Sequence, residues 1–141
     1  GLETLLQGYV ELNDPEIAIV APTAIDARTG ATIEPARFLD DRFEGYKAPT
    51  VTEPFECDAP ITSGSLLWLK THETVATPDP QLFIDGVDLD YGLRLRHAGF
   101  KNYIIPTAIM NHRFGEPVIL RFAQKKKVIQ IYSALCHYYI C

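Results

Sequence analysis

Asp85, Asp88 and Asp90 fall within six positions of the stretch FIDGVDLDYGLRLRHAGF, residues 83 to 100, just ahead of a segment with helical spacing. Carboxylates in such a place can take a proton as a general base, hold a cation, or cap a helix. Capping is the simplest use, because the unpaired N–H groups and dipole of a helix N-terminus favour each carboxylate by about 0.3–1 kcal/mol. A calcium loop of the EF-hand type is excluded: Gly86 comes too early, and no alignment meets the required alternation of acids with a closing Glu. Asp88 and Asp90 are also poor partners for one ion, since residues two apart on a helix face different ways.

The elements that must position these groups can be read along the chain. Leu2, Leu5, Leu6, Tyr9 and Val10 recur at helical spacing and Asn13-Asp14-Pro15 supplies a stop, which predicts an amphipathic helix over 2–12. IAIVAP, 17 to 22, is a short apolar run of the kind that forms a strand buried on both faces. IDARTGATI, 25 to 33, places Thr29 and Gly30 between short flanks, as a small hairpin or a turn-containing loop would. EPARFLDDRFEGYKAPTVTEP mixes charges, prolines and aromatics without either period and reads as a long surface excursion. After Cys57, Ala59 and Ile61 alternate, TSGSLLWLK continues as helix or strand. Asp88 to His97 is a helix with Leu89, Leu93 and Arg96 on one face and Gly99 as its stop, and YIIP, 103 to 106, is a buried strand. The order is that of an α/β chain, although no strand precedes the first helix.

With its surroundings, FIDGVDLDYGLRLRHAGFKNYIIPTAIMNH resembles the second half of family 2 glycosyltransferases of the GT-A type, in order: a Phe, an acidic pair, an Arg-bearing helix, a Gly-aromatic turn, a strand ending in Pro, and a later His. The start F-I-D-x-V-D and the preceding T-S-G-S are most similar to the bacterial rhamnosyltransferase-like branch, and the likeness runs over roughly residues 15 to 139. It implies an α/β, partial GT-A fold, Rossmann-like, with a mixed sheet flanked by helices. By position, Asp88 matches the catalytic carboxylate; Val87 stands where many relatives carry Glu. Asp90 matches the acid two residues on, and Arg94 the helix arginine that would support such carboxylates, with Asp85 beside them. An inverting transfer needs a group that takes the proton of the acceptor hydroxyl, and Asp88 is the candidate base.

The resemblance further implies that Thr62, Ser63 and Gly64 line the donor-sugar and acceptor pocket, with Trp68 either an apolar face for the sugar or core packing. His112 is implied as a contact for the metal or diphosphate, with Mg²⁺ or Mn²⁺ neutralising the departing nucleoside diphosphate. The expected partners are a nucleoside-diphosphate sugar donor, rhamnose first, and a polysaccharide or lipid-linked acceptor. The family begins with a nucleotide-binding half and an Asp-x-Asp motif. Neither is in these 141 residues, which are therefore expected to be one domain, the acceptor-side, C-terminal part of a catalytic domain, inactive alone. Sheet edge and apolar surface left open by the missing half would offer a route to a homodimer.

Composition narrows the classes. Lys and Arg number 13 against 18 Asp and Glu, a net charge of −5, so the basic footprint of nucleic-acid binding is lacking and no nucleic-acid partner is expected. Cys57, Cys136 and Cys141 form no CxxC pair and fit a reducing, cytoplasmic compartment. KKKVIQIYSALCHYYIC, with Lys125, Lys126 and Lys127 ahead of fourteen uncharged residues, predicts an amphipathic helix packed on the protein, with peripheral contact at the inner face of the membrane as the rival reading. Two rivals to the transferase are a non-catalytic carbohydrate-binding or scaffold module of the same fold and a generic α/β interaction domain in which Asp88 only caps its helix.

Overall fold

The computed structural model describes residues 1–82, 86–113, 116–122 and 125–131. Helix α1 (Leu2–Leu12) ends at Asn13, which adopts the left-handed conformation at φ 45° that commonly closes a helix. Its apolar stripe is only partly used: Leu5 and Gly8 are buried, whereas Leu2, Leu6 and Val10 stay exposed.

Strands β1 (Ile17–Asp26) and β2 (Thr32–Ile33) form a hairpin around Thr29-Gly30, the first of the two forms that stretch allowed, with Gly30 at φ +71°. The next stretch is not a featureless excursion. β3 (Ala36–Leu39) and β4 (Arg42–Gly45) pair antiparallel as a two-residue hairpin in which Asp40 and Asp41 both take positive φ, 49° and 60°. That is the twist-matched turn usually signalled by Asn-Gly or Asp-Gly; here Asp-Asp supplies it, because short polar side chains tolerate the left-handed region.

β5 (Phe55–Cys57) and β6 (Leu66–Leu67) follow, then helix α2 (Val87–His97) and β7 (Lys101–His112). β1 and β7 are parallel neighbours at the centre of a five-stranded mixed sheet. β2 and β6 pair antiparallel with β1, and β5 with the other edge of β7. The register of β1 on β7 jumps between Pro22 and Thr23, opposite Ile105 and Ile109, where Pro22 and Pro106 offer the ladder no N–H.

The two helices cover opposite faces of this sheet. Leu5, Ile17, Val20, Ile105 and Ala108 form the core under α1; Ile19, Ala21, Phe55, Cys57, Ile104, Tyr91 and Leu95 form the one under α2. Alternation along β7 produces the split, since successive side chains of a strand point to opposite faces. The buried stripe of α2 is Tyr91, Gly92 and Leu95, not the expected Leu89, Leu93 and Arg96. Gly92 explains the offset: a Cβ there would lie 2.7 Å from the Asp58 carbonyl oxygen and 2.8 Å from Ala59 Cα, so the helix approaches the chain after β5 along its side-chain-free line.

Beyond β7, β8 (Glu116–Phe122) and β9 (Lys125–Ile131) pair antiparallel in a separate two-stranded sheet. The helix expected from Lys125 onward is thus a strand over its first seven residues, where the β-branched Val128, Ile129 and Ile131 favour extended backbone. The rest of that expected helix, with Cys136 and Cys141, lies outside the described residues. Among the described residues, no helix is long and apolar enough to cross a membrane.

Candidate functional site

Helix α2 begins at Gly86, whose φ of +87° suits a residue without a side chain, and Asp90 N–H closes the first turn on the Gly86 carbonyl at 2.8 Å. Gly86 offers no side-chain cap, so Asp88 and Asp90 are the acidic groups of the first turn. Gly99, at φ +90°, ends the helix with its N–H on the Arg96 carbonyl at 3.0 Å. α2 therefore presents Asp88 at its start, partly exposed, while Tyr91 and Leu95 anchor it to the sheet. Asp85 lies outside the described residues.

Across 26 positions of sequence, the Thr62 hydroxyl donates to Asp88 Oδ1. Thr62 is fixed by its own turn, its carbonyl accepting from Ser65 N–H at 3.1 Å and from Ser65 Oγ at 2.7 Å. The turn needs Gly64, which sits at φ +69° and so close to Met110 of β7 that a Cβ would overlap the Met110 sulfur. Ser63 stands exposed at its tip. Thr62, Ser63, Gly64 and Asp88 are thus brought together, with the turn seated on the C-terminal part of β7.

Arg94 serves Asp90. Its Nε donates to Asp90 Oδ2 at 2.8 Å, and its other nitrogens donate to the carbonyls of Ala76 and Thr77 at 2.9 and 3.2 Å. The i,i+4 pair is half exposed and contributes about 0.3–0.5 kcal/mol, so its main effect is to tie the segment before α2 to the helix.

Trp68 sits apart from this group. Its ring stacks on Tyr9 of α1, centroids 6.0 Å apart, on the opposite face of the sheet from α2, and it remains 42% exposed. His112 ends β7 opposite Asp26 at the end of β1. The Asp26 carboxylate is engaged by Arg28 N–H at 2.8 Å and Thr29 N–H, bonds that hold it below the usual carboxylate range. Among the described residues, no three His, Cys, Asp or Glu side chains gather into a group able to hold a metal ion. The described residues therefore do not fit a divalent cation by themselves, and His112 would be at most one ligand of a site completed elsewhere.

Two features were not anticipated from sequence. On the α2 face, a cavity of about 200 Å³ is lined by Thr23, Glu34, Tyr46, Phe55, Ile61 and Ile104 among others; Ile61 immediately precedes Thr62. At the other end of the central strands, Lys101 bridges Asp14 and Glu16 at 2.8 and 2.9 Å, the Tyr103 hydroxyl lies 3.2 Å from both Asp14 and Glu56, and Arg96 pairs with Glu56 and Asp58. The Lys101 hydrogen bond is the main reason the Asp14 carboxyl is held low, and burial first, then Glu56 and Asp14, pushes the Tyr103 phenol up to about 12. These groups lock α2, β5 and the starts of β1 and β7 together; they are satisfied by one another and hold the frame on which Asp88 is mounted.

Over 63 residues the chain is 36% identical to the dTDP-rhamnosyl transferase RfbF of Shigella flexneri, a match covering 45% of this chain and 21% of that protein. The match thus spans about a fifth of the length of the curated relative. No family model matches the chain, and no solved structure matches it. This mixed α/β chain is accordingly related, distantly and over part of its length, to a glycosyltransferase.

Proposed function

We propose that this chain is part of an inverting glycosyltransferase of GT-A type, with Asp88 as the base that takes the proton of the acceptor hydroxyl. The observation that supports it most is the Asp88 carboxylate itself: partly exposed at the start of α2, held by a side chain from the Gly64 turn, and close in the chain to a cavity opening beside Ile61. A cap would need only the helix. The partial likeness to a dTDP-rhamnosyl transferase favours dTDP-rhamnose as donor and a polysaccharide or lipid-linked glycan as acceptor.

In this reading the acceptor lies in the cavity between the β3–β4 side and Ile61, and its hydroxyl meets Asp88 as the anomeric carbon is attacked. Any Mg²⁺ or Mn²⁺ would need ligands besides His112 and would neutralise the departing diphosphate. A homodimer and a peripheral membrane contact at its inner face, with a cytoplasmic location, complete the proposal. The test is release of dTDP from dTDP-rhamnose by the longest natural protein that carries this chain, wild type against Asp88→Asn. Loss of at least a hundredfold in kcat is expected. Equal turnover in the two proteins would reduce Asp88 to a helix cap, and absence of turnover with every donor and acceptor would favour the non-catalytic module.

A further inference from the structure

We infer that Thr62 is a positioning residue for Asp88 and not a hydrogen-bond donor to the sugar, an assignment that rests on the reading of Asp88 as base. A threonine hydroxyl has one proton to give, and here it is given to Asp88 Oδ1, so no donor is left for a substrate hydroxyl. The carboxylate has two ways to turn. It can fold back toward the N–H groups of the first turn of α2, which Gly86 leaves without a side-chain cap, or it can turn toward the Gly64 turn. Thr62 holds it toward the Gly64 turn.

The hold is anchored through the backbone of Thr62. Its carbonyl is doubly occupied by Ser65, its turn depends on the left-handed Gly64, and Gly64 rests on Met110, so the direction of the carboxylate is referred back to the central strand β7. With one lone pair of Oδ1 taken by Thr62, Oδ2 is the less encumbered oxygen for the acceptor proton. Single-oxygen presentation of this kind is what a base needs when the hydroxyl must arrive along one line.

Two readouts test the assignment, and the first needs no turnover. Three-bond couplings to the Asp88 carboxyl carbon, measured by NMR on this chain, report its χ1. A single rotamer is expected in wild type and in Thr62→Ser, and an averaged one in Thr62→Val; averaging already in wild type, or a single rotamer retained in Thr62→Val, overturns the proposal even if the protein is a transferase. The second is a double-mutant cycle on dTDP release. Thr62→Val is expected to lower kcat about ten- to a hundredfold with the donor KM unchanged, to be rescued by Thr62→Ser, and to add nothing in the Asp88→Asn background. A raised KM with kcat intact, or a further loss in the Asp88→Asn background, would assign Thr62 to the sugar. If Asp88→Asn itself leaves turnover unchanged, the base assignment fails while the rotamer result stands.

Discussion

Gly8 and Gly92 are both helical glycines at a helix–sheet contact, yet replacing them with alanine is expected to have different consequences. Alanine favours a helix interior by about 1 kcal/mol over glycine, so each substitution starts with that gain. At Gly92 the new Cβ would stand 2.7 Å from the Asp58 carbonyl oxygen, 2.8 Å from Ala59 Cα and 3.0 Å from Ala59 Cβ. The first is roughly 0.8 Å inside the contact distance of about 3.5 Å, and the atoms in the way are mostly backbone. α2 cannot retreat cheaply, because Asn102 Nδ2 bridges the Gly92 and Asp58 carbonyls at 3.1 and 2.8 Å while Arg96 ties the helix to Glu56 and Asp58. Overpacking of about 1–3 kcal/mol, with about 1 kcal/mol for the strained Asn102 bond, outweighs the helical gain and leaves Gly92→Ala about 2 kcal/mol less stable. At Gly8 the nearest atoms the Cβ meets are side-chain atoms of Ile105, at 2.8 to 2.9 Å, and α1 has just Leu5 and Gly8 buried, so it can lift; the net effect there is expected to be about 0–1 kcal/mol. For a domain of this size, urea unfolding would show a midpoint lower by about 1 M for Gly92→Ala and by less than half that for Gly8→Ala. A Gly92→Ala midpoint at or above wild type would refute the close approach of α2 to the chain after β5.

Other consequences can be checked on the same material. The Asp14 carboxyl is held below its unfolded value of 3.8, so its contribution to stability is present above that value and is lost as pH falls through the lower folded value; Asp14→Asn should therefore lose less stability than wild type as pH falls below 3.8. The Tyr103 phenol is raised from 10.0 to about 12, so folding keeps a proton that the unfolded chain sheds, and stability should fall between pH 10 and 12; ultraviolet titration of Tyr103→Phe should lack a phenol step near pH 12 that wild type shows. Cys57 is buried and its thiol pushed up to about 12, chiefly by burial, so peptide mapping after iodoacetamide at pH 8 should find Cys57 unmodified in the folded protein and alkylated in urea.

The main elements were legible because their signals are local. The helix over 2–12, the buried run at Ile17, the turn at Thr29-Gly30 and the Gly99 stop each arise from spacing and backbone preference within one element. Where the reading missed, a tertiary contact decided. The buried face of α2 could not be found from its leucines, since Gly92 admits the helix to the sheet and carries no hydrophobic signal at all. The β3–β4 hairpin hides behind Asp40-Asp41, charged residues in a left-handed turn. From Lys125 the apolar run is ambiguous between helix and strand, and pairing with β8 settles it as a strand.

The same distinction governs the site. Asp88 could be singled out from its own neighbourhood, but whether it caps a helix or faces substrate depends on Thr62, which the chain places 26 residues earlier and on a different element. No spacing rule connects the two. The connection runs through the fold: Gly64 allows the turn, Met110 seats it on β7, and β7 also carries Ile104 and Asn102, which fix Tyr91 and Gly92 of α2. Both ends of the Thr62–Asp88 hydrogen bond are thus referred to one strand, and a substitution at Met110 that displaces Gly64 should disturb Asp88 without touching it. Met110→Ala, which opens space beside Gly64, is expected to average the Asp88 rotamer as Thr62→Val does, whereas Leu6→Ala, at an exposed position of α1, should leave it fixed; equal rotamer behaviour in the two variants would show that the strand does not couple the turn to the helix.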